Sequence, residues 1–594
     1  MKKLAVNIAI VVAVCVIVLV AHWPALSAKA LCFDDAEYVT DNVLVQNPGW
    51  VSASRFLTEV FTPSTVGGYY QPLTMISLMF DYAIGGRADN PMPFHRTSLA
   101  LHVANTVLII ALLYLLFGNI WLAAAVGLLF GTHPMTVESI AWISDRKTLL
   151  AAFFAFWSLL FYILFTRTAG KKYYAACLIA YLLALMSKPT SLCLPLVMLL
   201  MDYWPLKRFS RKSIREKSPF FVLLGVFALI TFISQSVTIG GWFPGQEEHH
   251  LLNPPLIICH NIIFYPLKML WPVNLTSHYT YPQPFAISNP KVLADVVAAI
   301  ILIIMLVVSL RWTKAALTGS LIFFIAILPT MQIFKFSDVI ASDKFVYLPS
   351  LGLLMMLTSF LSWFCANKQA KLLAVLVVVL LLAAAEGIAT RNYLTCWKDT
   401  FILYNHMLTL APDSVSLHGQ LAITYGRAGQ NEKAKELLEQ TVAIDPSDGQ
   451  AWFNLGVAYS KLELYPKAID AFQKTIRLSP NYPNAYIELA GAYFAVGKFE
   501  EQIAPCKKAI ELSPNSVNAY INLGSAYSSL GRFADGLELY KRAEKIAPQN
   551  LQIRFGLGYF YLKTGDPNSA LQQYEILKQL DTAQADALRS LIQN

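Results

Sequence analysis

Leu455-Gly456-Val457-Ala458-Tyr459 returns 34 residues later as Leu489-Ala490-Gly491-Ala492-Tyr493, and after the same step as Leu523-Gly524-Ser525-Ala526-Tyr527. Leu421, Ala422 and Tyr425 precede this series in register, and Leu557, Gly558 and Tyr561 follow it. Pro412, Pro446, Pro480, Pro514 and Pro548 keep the same period. Small residues after each leucine let paired helices approach closely, and the tyrosines fill the gaps between pairs, so the pattern predicts a solenoid of helix pairs. Counting from the prolines places five repeats at 415–448, 449–482, 483–516, 517–550 and 551–584, with a tail at 585–594.

The period is that of a tetratricopeptide array. In the second helix of each pair, the small position held by Ala434, Ala468 and Ala570 becomes Gln502 and Gly536. The groove-facing position reads Gln420, Asn454, Glu488, Asn522 and Gly556. Its partial asparagine ladder makes Asn454 and Asn522 candidates for gripping an acceptor backbone, beside the plain reading of a polar groove surface.

Upstream the character changes. The whole chain is 56% hydrophobic with mean hydropathy +0.49, a membrane-like composition. Residues 412–594 hold 18 Lys and Arg against 19 Asp and Glu, leaving 28 against 18 in the first 411. A nearly neutral solenoid offers nucleic acid no electrostatic footprint. The eight cysteines show no CxxC pair or zinc spacing, and no disulfide is assigned.

The first apolar run extends to about Val20, longer than a signal-peptide core, and reads as an uncleaved helix. Further runs lie near 97–117, 119–132, 148–166, 173–187, 189–205, 219–238, 291–310, 315–332, 345–365 and 371–390. Basic residues at Lys2-Lys3, Arg167 to Lys172, Lys207 to Lys217, Arg311-Lys314 and Lys368-Lys371 all fall on one side if the N-terminus is cytoplasmic. This requires residues 253–273, which carry His260, Asn261 and Lys268 between prolines, to be re-entrant or interfacial. The expectation is an all-α protein with about 11 spans, this extra helix and the solenoid. It divides as a membrane domain at 1–391, a connecting helix at 392–414, the repeats and the tail. Both the repeats and four loops, 27–95, 133–147, 239–290 and 333–344, then face away from the cytoplasm.

Those loops carry the chemistry. Phe33-Asp34-Asp35 follows the first span, where a paired carboxylate suits the general base that an attacking acceptor hydroxyl needs; a solvated loop or helix cap is the bland alternative. The second loop runs from His133-Pro134 through Glu138-Ser139-Ile140-Ala141-Trp142 to Arg146-Lys147. Ionisable residues so close to hydrocarbon point to a polar site. Arg146 and Lys147 suit a phosphate, or else anchor a helix end at headgroups; His133 alone reads as a structural histidine. Tyr69 to Thr74, His95, Arg96, His102, Asn105, Lys188 and Asp343-Lys344 are further candidates. His102 and Asn105 share a helix face and suit an interhelical hydrogen bond equally well. No nucleotide-binding or hydrolase motif stands out, so a sugar donor would be lipid-linked.

With Tyr70-Gln71-Pro72-Leu73-Thr74 and Asp343-Lys344 to Tyr347-Leu348-Pro349-Ser350, these stretches resemble GT-C glycosyltransferases carrying C-terminal tetratricopeptide repeats. They are similar to the transmembrane and tetratricopeptide repeat-containing (TMTC) protein O-mannosyltransferases and their bacterial relatives. The HPxxxESxAW stretch with Arg146-Lys147 is the most specific piece. The resemblance implies an inverting transfer of mannose or a similar sugar from a polyprenyl or dolichyl phosphate to a protein hydroxyl on the outer face. Asp34 would be the base, with Asp35 its understudy. His133, Glu138, Arg146, Lys147 and Lys344 would bind the donor. Lys344 stands where relatives often carry Arg, which removes the bidentate fork. No cofactor is assigned and a divalent metal is left open; the expected partners are the lipid-linked donor, a protein or peptide acceptor and membrane lipids. A catalytically silent scaffold is the alternative, ahead of a transporter, whose charges would line a midplane path.

Overall fold

The apolar runs fold as helices because backbone groups inside hydrocarbon must satisfy one another. The computed structural model describes residues 2–60, 70–238, 253–282, 284–331, 339–366 and 368–593, without side chains for 235–238 and 253. Tyr69 and parts of the 239–290 and 333–344 loops therefore lie outside the described residues. The protein is all-α, apart from a two-stranded antiparallel pairing of Tyr279–Thr280 with Val339–Ala341. It forms two compact units, Met1–Pro412 and Asp413–Asn594.

In the first unit six described segments are long and apolar enough to cross a membrane: Lys2–Ser27, Met92–Phe117, Ile143–Thr168, Arg211–Ser234, Pro290–Ser309 and Gln369–Lys398. Ile120–Thr132 with Pro134–Ala141 makes a seventh only as a pair bent by 55°. Pro189–Tyr203, Ala315–Thr330 and Ser350–Cys365 are apolar but shorter. Prolines 134, 189, 329 and 349 stand where these helices begin or end, because proline lacks the N–H that continues a helix. The chain is thus a multi-pass membrane protein. Gly319 and Gly352 let two of the short helices touch: a Cβ on Gly352 would meet the Gly319 carbonyl oxygen at 2.3 Å. Asn253–Leu270 is helical and falls outside the spans. Its Leu267 and Leu270 are exposed, as is Trp271 beyond it, and His260 Nδ1 lies 2.7 Å from Asp295 Oδ2.

The first loop has its own core. Tyr38, Val39, Leu44, Val45, Ala53, Phe56, Met75, Leu78 and Met79 pack with Phe94 and Ile143, fixing the loop against the spans.

The second unit is five helix pairs from Val415–Arg427 to Pro567–Leu580, closed by Thr582–Gln593. The segment read as a tail is therefore largely a helix, with Ala585 and Leu588 buried. The small positions work as the pattern requires: a Cβ on Gly456 would meet the Phe472 ring at 2.5 Å, and one on Gly524 the Tyr540 ring at 2.4 Å. Gln502 fits its small-residue slot by donating from Nε2 to the Asn522 carbonyl at 2.9 Å. Gly429, Gly497, Gly531 and Gly565 turn between paired helices with φ between +72° and +83°; Glu463 holds the same slot at φ +59°. Asn454 Oδ1 accepts from Gln450 at 3.1 Å, whereas Asn522 Nδ2 donates to the Ile487 carbonyl at 3.3 Å.

Candidate active site

Joining the helix Ile120–Thr132 to the helix Arg146–Thr168, the stretch from His133 to Lys147 is a packed plug rather than a solvated loop. Its short helices Pro134–Thr136, Val137–Ala141 and Ile143–Asp145 are buried throughout. His133 caps the plug, with Nδ1 accepting from Met135 N and Nε2 lying 3.0 Å from the Met269 carbonyl oxygen.

Asp34 and Asp35 take different places. Asp35 is 1% exposed, and its two carboxylate oxygens accept the backbone N–H groups of Cys32 at 3.0 Å and Ser144 at 2.9 Å. It staples the first loop to the plug. Burial raises its pKa to about 7 despite those hydrogen bonds. The Asp34 side chain is 45% exposed, and Oδ2 pairs with Lys147 Nζ at 3.1 Å. Burial pushes its carboxyl up, but Lys147, Lys344 and Lys188 outweigh this and bring it below the ordinary carboxylate value. One carboxylate is thus ionised and accessible, and the other is internal.

The three ammonium groups are each held from behind. Lys147 Nζ donates to the Tyr38 hydroxyl at 3.1 Å, and Gln71 Nε2 donates to the same hydroxyl. Lys344 Nζ pairs with Glu138 Oε1 at 3.2 Å and stands 3.6 Å from the centre of a Trp142 ring. Glu138 also accepts from the Ser342 hydroxyl and from Lys344 N at 2.8 Å. Lys188 Nζ donates to Thr148 Oγ1 at 2.7 Å and lies 3.5 Å from Asp145 Oδ1. Burial brings its ammonium down to about 8. The side chains of Lys147, Lys188 and Lys344 themselves remain 11% to 14% exposed. Lys188 and Lys344 line a narrow cleft with Thr148, Thr190, Thr330 and Phe345.

Arg146 faces elsewhere. It is wholly buried, with NH1 2.8 Å from Asp81 Oδ2, and it donates to Ser98, Ser77 and the Phe94 carbonyl. Charge pairing and four acceptors commit it to the protein. Asp81, Tyr38 and Asp145 escape a motif search, although a carboxylate inside the run Met79-Phe80-Asp81-Tyr82 signals a buried partner. His102 and Asn105 meet at the Tyr347 hydroxyl, 2.7 and 3.2 Å away, as an interhelical connection. Burial, with Glu138 beside it, holds Asp343 well above the usual carboxylate range. Among the described residues, no three His, Cys, Asp or Glu side chains gather to hold a metal.

The turn bearing Asp34 is strained. Phe33 has φ +47°, a left-handed conformation costing about 1–3 kcal/mol for a residue with a side chain. Its ring is 5.2 Å from Trp142 and 5.5 Å from Tyr404.

The tetratricopeptide repeat family matches residues 420–483, 461–517, 506–538 and 529–592. A protein O-mannosyl-transferase of Caenorhabditis elegans is 23% identical over 439 residues, covering 70% of this chain and 60% of its own length. That match is too long for the repeats alone. The chain resembles the TMTC protein O-mannosyl-transferases. Human TMTC2 is 32% identical over 142 residues, 23% of this chain and 17% of its own length. The chain thus spans less than two thirds of the length of these relatives. Among solved structures, YrrB, titled a tetratricopeptide protein with an unusual peptide-binding site, aligns with 32% of this chain and 97% of its own. The TM-score is 0.28 at 16% identity.

Proposed function

We propose that this protein transfers mannose from a polyprenyl-type phosphate carrier to a hydroxyl on a protein acceptor, on the extracytoplasmic side of a membrane. The carrying observation is Asp34, accessible and ionised beside three lysines that are braced from behind. Asp34 accepts the proton of the acceptor hydroxyl as its oxygen attacks the anomeric carbon. The bond from that carbon to the phosphate oxygen breaks, its electron pair staying on the phosphate, and one displacement inverts the centre. Lys147, Lys188 and Lys344 neutralise the phosphate before and after. When the phosphate draws Lys147 away, the depressed basicity of Asp34 recovers.

Glu138 acts by orienting Lys344, and His133 by capping the plug. The committed contacts of Arg146 give it a positioning role instead of a phosphate contact. In this reading the membrane domain crosses about 11 times with Asn253–Leu270 at the interface, and the repeats face the same side of the membrane as Asp34. There, Asn454 and Asn522 contribute to recruiting the acceptor.

Purified protein in liposomes receives polyprenyl-phosphate mannose, dolichyl-phosphate mannose or a nucleotide-linked mannose, together with Ser/Thr peptides. Transfer from a lipid donor alone supports the reading. Transfer from the nucleotide sugar overturns the donor assignment, and no transfer from any donor favours the scaffold.

A further inference from the structure

The helix Thr400–Leu410 stands between the last apolar helix and the first repeat helix, which begins at Val415. Asp399 starts it by accepting Phe401 N at 2.8 Å. Its contacts converge on the turn that presents Asp34. Thr400 Oγ1 accepts from Leu31 N at 2.9 Å and donates to the Leu31 carbonyl at 3.1 Å. The Tyr404 hydroxyl accepts from Phe33 N at 3.2 Å while its ring packs edge-on against Phe33. Just upstream, the Trp397 carbonyl receives the N–H groups of Lys29 and Ala30 at 3.2 and 3.1 Å. Four backbone donors of residues 29–33 therefore end on residues 397–404. The left-handed Phe33 lies among them, directly before Asp34, and such a conformation persists only where its surroundings over-determine it.

We propose that Thr400–Leu410 is a strut that aims Asp34, with Thr400 and Tyr404 as positioning residues acting through the Leu31–Phe33 backbone. This rests on Asp34 being the base. The chain passes from the strut to the first repeat helix in residues 411–414.

The test uses the full-length protein with a lipid-phosphate mannose donor and a peptide acceptor. Tyr404→Phe keeps the ring and removes the acceptor of Phe33 N–H; Thr400→Val removes Oγ1 at constant shape, and Thr400→Ser restores it. Tyr404→Phe and Thr400→Val are expected to lower kcat about tenfold, leave the donor KM within about twofold, and move the acidic limb of the kcat–pH profile. Thr400→Ser should return to near wild type. Hydrogen exchange at amides 29–36 should quicken in Tyr404→Phe, a readout independent of activity. An active wild type with unchanged kcat, pH profile and exchange in both variants overturns the strut. So does a kcat loss with an unmoved pH profile. An inactive wild type instead removes the transferase reading on which the strut depends.

Discussion

Asp34→Asn and Asp35→Asn are the same chemical change one residue apart, and the proposed mechanism gives them opposite consequences. Asn at 34 cannot take the acceptor proton. Loss of a positioned base costs about 10²- to 10⁴-fold in kcat, or about 3–5 kcal/mol of barrier. The Lys147 pair lost with it involves a side chain 45% exposed, so it contributes at most about 1 kcal/mol to stability. Asp35 instead receives backbone N–H groups on both oxygens. Asn offers one oxygen and turns its amide donor toward the other N–H, leaving buried donors unsatisfied at about 1–3 kcal/mol. Radiolabelled mannose transfer and thermal unfolding, run on both variants, separate the two. Asp34→Asn should unfold like wild type and transfer almost nothing. Asp35→Asn should unfold earlier and keep part of its activity once folded. A fully active Asp34→Asn, or an equally stable but inactive Asp35→Asn, refutes the division of roles.

Because the Asp35 pKa is raised to about 7, the folded state binds its proton more tightly than the unfolded chain. Stability from this group is therefore full below the ordinary carboxylate range and falls as pH rises to about 7. Unfolding temperature measured from pH 4 to 8 should show that decline in wild type and less of it in Asp35→Asn. Arg146→Met strands Asp81 as a buried charge and should cost about 3–5 kcal/mol, seen as low yield and early unfolding rather than a raised donor KM. Lys188→Met strands the buried Asp145 carboxylate and should therefore unfold somewhat earlier, and in the folded protein it should raise the donor KM; an unchanged KM removes Lys188 from the phosphate cluster. Glu463→Gly should stabilise the array by about 0.5–1 kcal/mol in denaturant titration, since relief of the left-handed strain exceeds the entropy glycine adds to the unfolded chain.

The repeats were legible because a solenoid rewrites one local packing problem every 34 residues, so Leu455, Gly456 and Tyr459 announce themselves by recurrence. Membrane helices were legible by apolar run length, though hydropathy alone could not show where Pro134 and Pro189 cut those runs short. The candidate site was legible as residue types and not as roles. Asp34 and Asp35 are indistinguishable in a string, and only folding gives one the lysines and the other two amides. Arg146 looks like Lys147 until Asp81, far off in sequence, arrives to neutralise it. The contacts of Thr400 and Tyr404 with Leu31 and Phe33 join residues about 370 apart, a distance that no local pattern spans.

The staple at Asp35 has an evolutionary corollary. Its partners are main-chain amides of Cys32 and Ser144, and the Cys32 side chain is no part of the bond. Position 32 can drift through any residue that fits, proline excepted, without a matching change at 35. Paired variation across homologous chains should therefore pass over this half of the staple, leaving Asp35 to look like an invariant acid with no partner at position 32.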